Sequence, residues 1–225
     1  MARPPTATYQ LLKFSRRHLL GPEHPDTLFT MNNLAVSYAG QGQYAPAEAL
    51  LSQTLELKRR VLGPEHPSTL NTQCWLARVY SSEGKHARAE PLFRETLEAR
   101  RRVSGPEDEG TLDTATHLAQ SYQAQGKFAA SEPIAREVVE IDRKKHSDAW
   151  QRFLAESLLG ASLAGQKKFA EAEPRLLAGF RGMDVRKDRI AAPDRYHLDQ
   201  AREWIVQLYR GWGKPEKAAA WREKW

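Results

Sequence analysis

The chain repeats itself. Leu20-Gly21-Pro22-Glu23-His24-Pro25-Asp26-Thr27-Leu28 returns 42 residues later as Leu62-Gly63-Pro64-Glu65-His66-Pro67-Ser68-Thr69-Leu70, and a decayed third copy runs from Ser104 to Leu112. A second marker keeps the same register: Gly42-Gln43-Tyr44-Ala45-Pro46-Ala47-Glu48, then Gly84-Lys85-His86-Ala87-Arg88-Ala89-Glu90, then Gly126-Lys127-Phe128-Ala129-Ala130-Ser131-Glu132. A looser fourth is Gln166-Lys167-Lys168-Phe169-Ala170-Glu171-Ala172-Glu173. Such a period belongs to arrays of small units that bury a core only by stacking on their neighbours. Two punctuation marks per period imply two elements per unit.

Between the marks, apolar residues recur at spacings of three and four, among strong helix formers, so both elements are helices and the fold class is all-α. In the first unit, helix A carries Leu34, Ala35 and Tyr38, and helix B carries Ala47, Leu50, Leu51, Thr54 and Leu57. Ala35 and Ala47 let the two backbones approach closely. The pattern continues with Leu76, Ala77, Tyr80 and Ala89, then Leu118, Ala119, Tyr122 and Ser131, then Leu159, Gly160, Leu163 and Ala172. Gly21, Gly63 and Gly105 fall where a helix should stop, and the prolines that follow prevent continuation. After Gly179 the register breaks. A helix restarts near Pro193, and a last hairpin carries Ile205, Val206, Tyr209, Ala218 and Trp221.

No candidate constellation for catalysis emerges. Gly213-Lys214 lacks the upstream glycine of a phosphate loop, and Gly84-Lys85 and Gly126-Lys127 are hairpin turns with no Ser or Thr after them. His24 and His66 lie one full unit apart, which suits a structural role in each loop better than a shared metal. Cys74, the single cysteine, forms no intramolecular disulfide and supplies no thiolate cluster, which points to a reducing, cytoplasmic setting. The expectation is a protein with no enzymatic activity, no cofactor and no metal. No stretch of apolar residues is long enough for a membrane span, so no membrane partner is expected.

The Leu-Gly-Pro-Glu-His-Pro loops at Leu20 and Leu62, the segment Asn32-Asn33-Leu34-Ala35 and the Gly-x-aromatic-Ala-x-Ala-Glu turns together resemble the tetratricopeptide repeat, in the 42-residue form of kinesin light chains. The ending is similar to the C-terminal repeat regions of bacterial serine/threonine protein kinases. The resemblance implies a right-handed superhelical α-solenoid of antiparallel helix pairs, about five repeats with the first incomplete, forming one domain over 1–225. Residues 5–19 read as a lone helix B, as if the array were cut or frayed there. Repeats follow at 26–61, 68–103, 110–145 and 148–180, an irregular insertion at 181–192 and a terminal hairpin at 193–225.

The implied function is protein–protein interaction: a peptide or protein segment held in a concave groove lined by the A helices, in a scaffold or regulatory arm of a larger signalling protein. Outward positions of helix A are expected at Phe29, Asn32, Val36 and Ala39, then Asn71, Cys74, Arg78 and Ser81, then Asp113, Thr116, Gln120 and Gln123, and in the last hairpin Gln200, Glu203, Gln207 and Arg210. Of the asparagines that recur along the groove of the kinesin light chain family, only Asn32 is kept. An alternative is a structural array that self-associates through its terminal helices, Trp221 and Trp225 included.

The net charge of +6 raises a third reading. Cations recur at the end of each helix B: Arg16-Arg17, then Arg59 and Arg60, then Arg101 and Arg102, then Arg143 and Lys144. A basic ridge of this kind would suit an anionic partner or nucleic acid. Complementation of the helix dipole, with ion pairs from Glu56, Glu98 and Glu140 four residues earlier, is the preferred explanation, because no aromatic residues interleave to stack bases.

Overall fold

The computed structural model describes residues 21–145, 148–191 and 194–223. The lone helix B expected over 5–19, Arg16-Arg17, Pro193 and Trp225 lie outside the described residues. Within them the regular structure is helical: α1 (Pro25–Gly40), α2 (Tyr44–Leu62), α3 (Pro67–Ser82), α4 (His86–Val103), α5 (Glu109–Ala124), α6 (Phe128–Lys144), α7 (Trp150–Gly165), α8 (Phe169–Asp184), a 3-10 turn (Lys187–Arg189), α9 (Tyr196–Gly211) and α10 (Pro215–Glu223). Odd-numbered helices are the A helices and even-numbered ones the B helices. Every A helix is 16 residues long, so positions in them can be compared directly. The chain divides into two compact units, Met1–Thr114 and Ala115–Trp225, with the division falling inside α5.

Each A helix is set by its loop. His24 precedes α1 as the capping residue, and its Nδ1 accepts the backbone N–H of Asp26 at 3.2 Å; His66 repeats this before α3 with Ser68 N–H at 3.1 Å. Pro25 and Pro67 then occupy the first helical position, where a missing N–H removes no bond. In the third copy Asp108 replaces the histidine, and its carboxylate accepts the N–H of Thr111 at 3.1 Å. The expected structural role of the loop histidines is therefore this cap. Helices α2 and α4 end as the sequence predicts, with Gly63 and Gly105 at positive φ just beyond them. Pro91, Pro133 and Pro174 lie inside α4, α6 and α8.

In the first unit, Ala35 and Ala77 of the A helices and Ala47 and Ala89 of the B helices are all fully buried. Leu28, Leu34, Leu51 and Phe93 are buried in the same core. In the second unit Ala119 and Ser131 are the matching pair, and the Ser131 hydroxyl donates to the Ala119 carbonyl at 2.9 Å. Gly160 takes the alanine's place on α7 because Leu176 stands against it: a Cβ there would lie 2.7 Å from Leu176 Cγ.

The segment after Gly179 continues α8 to Asp184 before turning. It is fastened by Arg186 and Arg189, which both pair with Asp148, and by Ile190 and Met183, which are buried. The last hairpin follows, with Ile205, Val206 and Tyr209 in the core as the periodicity predicts.

Candidate functional site

The A helices carry the residues expected to meet a partner, and the structure divides them by register. Counted from the start of its helix, the fifth position holds Phe29, Asn71 and Asp113, all exposed, Phe29 by 64%. The twelfth holds Val36, Arg78 and Gln120, and the fifteenth Ala39, Ser81 and Gln123, all half-buried. Arg78 lies over the ring of Trp75 at 3.8 Å.

The eighth position differs from the expectation of an outward-facing residue. Asn32 and Cys74 are buried, and Thr116 is half-buried. Asn32 Oδ1 accepts the hydroxyl of Thr72 at 2.9 Å, and Cys74 Sγ accepts that of Thr114 at 3.8 Å. In both cases the eighth residue of one A helix meets the sixth residue of the next, so this register position is a joint between hairpins. Helix A has three faces to satisfy: its own helix B, the next hairpin and solvent. The periodicity within one hairpin reveals only the first. Burial pushes the Cys74 thiol up to about 11, which keeps it protonated and a poor nucleophile.

In the first unit the joint is extended by Lys58 of α2. Its Nζ donates to Thr72 Oγ1 at 2.9 Å and approaches the Ser68 carbonyl at 3.3 Å. Lys58 is 3% exposed, and removal from water lowers it to about 8.

In the second unit the A-helix face holds two features. The first is a chain of side chains from α5 to α9: His117 Nδ1 lies 2.9 Å from Gln120 Oε1, and Gln120 Nε2 lies 3.5 Å from His197 Nδ1. The second is a cleft of about 260 Å³ lined by Ala161, Ala164 and Gly165 of α7, by Trp204 and Gln207 of α9, and by Phe128, Phe169, Gln123 and Lys167 around it. Its walls are built into the sequence. Phe128 packs so closely on Gly165 that a Cβ there would stand 2.3 Å from the ring. Gln123 is held in place by donating to the Leu158 carbonyl at 2.9 Å and to Ser162 Oγ at 2.8 Å. Lys167 takes φ 63°, where the equivalent turn residue Gly126 has φ 70°. Sequence reading did not find this cleft, although its signal was present: small residues at the twelfth and fifteenth positions of α7, beside the aromatic residue of each turn.

The recurrent glutamate of the turn marker also acquires a role. Glu48 accepts from Lys85 Nζ at 3.0 Å, Arg88 Nη1 at 2.9 Å and Tyr80 Oη at 3.2 Å, all from the following hairpin. In the second unit Glu132 accepts from Lys168 at 2.9 Å and Gln166 at 2.8 Å, and Glu173 from Tyr209 at 2.8 Å and Lys217 at 3.0 Å. Each glutamate thus clasps the next hairpin. The hydrogen bonds from Arg136 and Lys168 bring Glu132 down to about 2, and burial together with the Glu173 bond pushes Tyr209 up to about 12.

The helix-end cations are engaged, though by other carboxylates than those expected. Arg60 pairs with Glu23 and Arg102 with Glu65, each from a Gly-Pro-Glu-His-Pro loop 37 residues earlier, in place of Glu56 and Glu98 as the hydrogen-bonded partner. Arg59 donates to Gln73 Oε1 at 3.0 Å, and Arg101 also has interaction partners. Arg143 shares the buried Glu156 with Arg175, at 2.7 and 3.0 Å; Lys144 is exposed beside it. Among the described residues, no group of three or more His, Cys, Asp or Glu is placed to hold a metal ion, and no helix is long and apolar enough to cross a membrane.

Comparison with known proteins agrees with this architecture. Two models described as tetratricopeptide repeat match residues 27–68 and 68–144, together more than half of the chain. No curated protein sequence matches it. Among solved structures, the nearly identical TPR-like repeats of a Podosopora anserina kinesin light chain share 24% identity, with 89% of this chain and 94% of that one covered and a TM-score of 0.70. BtubC (BKLC) from P. vanneervenii shares 15%, with 97% and 87% covered and a TM-score of 0.71. A Rap protein complexed with competence and sporulation factor shares 11%, with 96% and 66% covered and a TM-score of 0.68. These likenesses concern the fold, an all-α solenoid of helix pairs, which is consistent with a protein-interaction repeat module. On its helical hairpins, its repeated loops and turns and the models that match them, the chain belongs to the tetratricopeptide repeat family.

Proposed function

We propose that this chain holds a peptide or protein segment on the A-helix faces of its hairpins, as a cytoplasmic scaffold or regulatory arm of a larger signalling protein. The observation that carries the reading is the aromatic-walled cleft on α7 and α9: an open recess floored by Ala161, Ala164 and Gly165 and walled by Phe128, Phe169 and Trp204. It is sized to receive a bulky apolar side chain, the kind of anchor that dominates interface energies. Around it, half-buried polar residues at the twelfth and fifteenth positions offer hydrogen bonds to a segment lying along the helices. In the first unit Phe29, Val36, Asn71, Arg78 and Asp113 would serve in the same way, while Asn32 and Cys74 support the face from below. A protein of this fold, the Rap protein, has been solved with competence and sporulation factor bound.

Two other readings have less support. Trp221, a candidate for contact between copies, packs edge-on against Phe180 of the same chain, with ring centroids 5.2 Å apart. On the basic ridge, Arg60, Arg102 and Arg143 already face carboxylates.

Panning a phage-displayed library of random peptides on the wild-type chain tests the reading. Enriched peptides should bind Trp204→Ala about tenfold or more weakly, the loss typical of a central anchor pocket, while circular dichroism shows the helices intact. Peptides that bind both proteins equally would place the site elsewhere, and a library that yields no binder would count against peptide recognition itself.

A further inference from the structure

In the second unit, one of the residues expected to meet a ligand is already engaged by the chain's own α9. Gln120, at the twelfth position of α5, has both ends of its amide engaged: the oxygen by His117 at 2.9 Å and the nitrogen by His197 at 3.5 Å. His197 also lies 3.4 Å from Gln200 Oε1 and is flanked by the rings of Tyr196 and Trp150, with centroids 4.0 and 5.7 Å away.

This burial is peculiar to the last A helix. His197 is the second residue of α9 and is 3% exposed. The second residues of the other A helices are Asp26 and Gln151, which are exposed, and Ser68 and Gly110, which are half-buried. What differs is the approach. Four residues, Gly63–His66, link α2 to α3, and five, Ser104–Asp108, link α4 to α5, whereas eleven, Val185–Arg195, separate α8 from α9. The longer connector gives α9 the reach to lay its first turn across α7 toward α5.

We propose that the first turn of α9 is an autoinhibitory latch, in which His197, backed by Tyr196 and Trp150, engages Gln120 and closes off the A-helix face beside it in the second unit. The cleft beside Trp204 stays open while the latch is closed. A segment long enough to run from the cleft to Gln120 must first displace His197, so its apparent affinity is reduced by the fraction of molecules that are open. This inference rests on the A-helix face being the binding surface.

The test uses dodecapeptides selected from a random phage library, panned in parallel on the full wild-type chain and on His197→Ala, with affinities then measured for both by fluorescence polarisation. For a latch closed in about nine molecules of ten, His197→Ala should bind about tenfold more tightly, and adding Gln120→Ala should remove that gain. Peptides that bind both proteins with equal affinity overturn the latch but leave the binding surface standing. If neither protein selects a peptide, the binding surface fails and the latch with it. Should His197→Ala lose its helical circular dichroism, Tyr196→Ala, which removes the half-exposed ring backing His197, takes its place with the same expected gain, and no gain again overturns the latch.

Discussion

Lys58 Nζ lies 2.9 Å from the hydroxyl of Thr72, which in turn lies 2.9 Å from Asn32 Oδ1, so a lysine of one hairpin and an asparagine of the same hairpin are joined through a threonine of the next. All three are buried. Replacing the threonine by valine keeps the shape but leaves an ammonium and an amide oxygen short of a partner inside the protein. Thr72→Val should lower the stability by about 1–3 kcal/mol, read as a reduced urea midpoint with an unchanged slope.

Burial also gives Lys58 a signature in pH. Its folded value, about 8, is below the ordinary 10.5, so between those limits the unfolded chain holds the proton more tightly than the folded one. Stability therefore rises with pH across that window, and the cost of burying the charge is fully present below it. In Lys58→Met this rise should disappear. The stability of the wild type relative to the variant should improve between pH 8 and 10.5, as measured by urea unfolding of both proteins at several pH values.

At the hairpin clasp, the sign is opposite. Glu132 is held at about 2, below the ordinary 4.5. Its contribution is present above the ordinary value and is lost as the pH falls through the folded one. Lys168 and Arg136 are partly exposed, each side chain at 42%, so screening keeps the effect small. Glu132→Gln should cost about 0.5–1 kcal/mol at pH 7, and the difference in melting temperature from wild type should vanish near pH 2.

The loop caps make a sharper comparison. Asp108 performs before α5 the task that His66 performs before α3. His66→Ala should destabilise by about 0.5–2 kcal/mol, whereas His66→Asp should be close to neutral; thermal unfolding followed by circular dichroism distinguishes them.

Lys167 is the one non-glycine residue at positive φ among the described residues, at the turn where the preceding copy has Gly126. A side chain in this conformation is strained by about 1–2 kcal/mol. Lys167→Gly should relieve part of that strain and raise the melting temperature. No change, or a fall, would mean that the lysine side chain compensates through contacts at the cleft.

The sequence by itself determined the helical hairpin and its period, because those depend on local chemistry that recurs every 42 residues. Glycines stop the B helices, His24 and His66 with their prolines start the A helices, and the alanines at 35, 47, 77 and 89 are fully buried. It also marked much of each hairpin's own core, Leu34, Ala35, Ala47 and Leu51 among it, since a helical period of 3.6 exposes that face directly, although Tyr38, Leu50 and Leu57 are only half-buried and Leu55 is buried instead. What only tertiary structure decided is where one hairpin meets the next. Asn32 and Cys74 read as outward because nothing within a hairpin covers them, yet Thr72 and Thr114 of the following helices do. The partners of Arg60 and Arg102 were sought four residues away and lie 37 away, in loops that stacking brings alongside. His197 engages Gln120 for the same reason: the reach of an eleven-residue connector is a property of the packed chain. Contacts within a helix follow from spacing, but contacts between hairpins depend on the angle at which they stack, which no single repeat encodes.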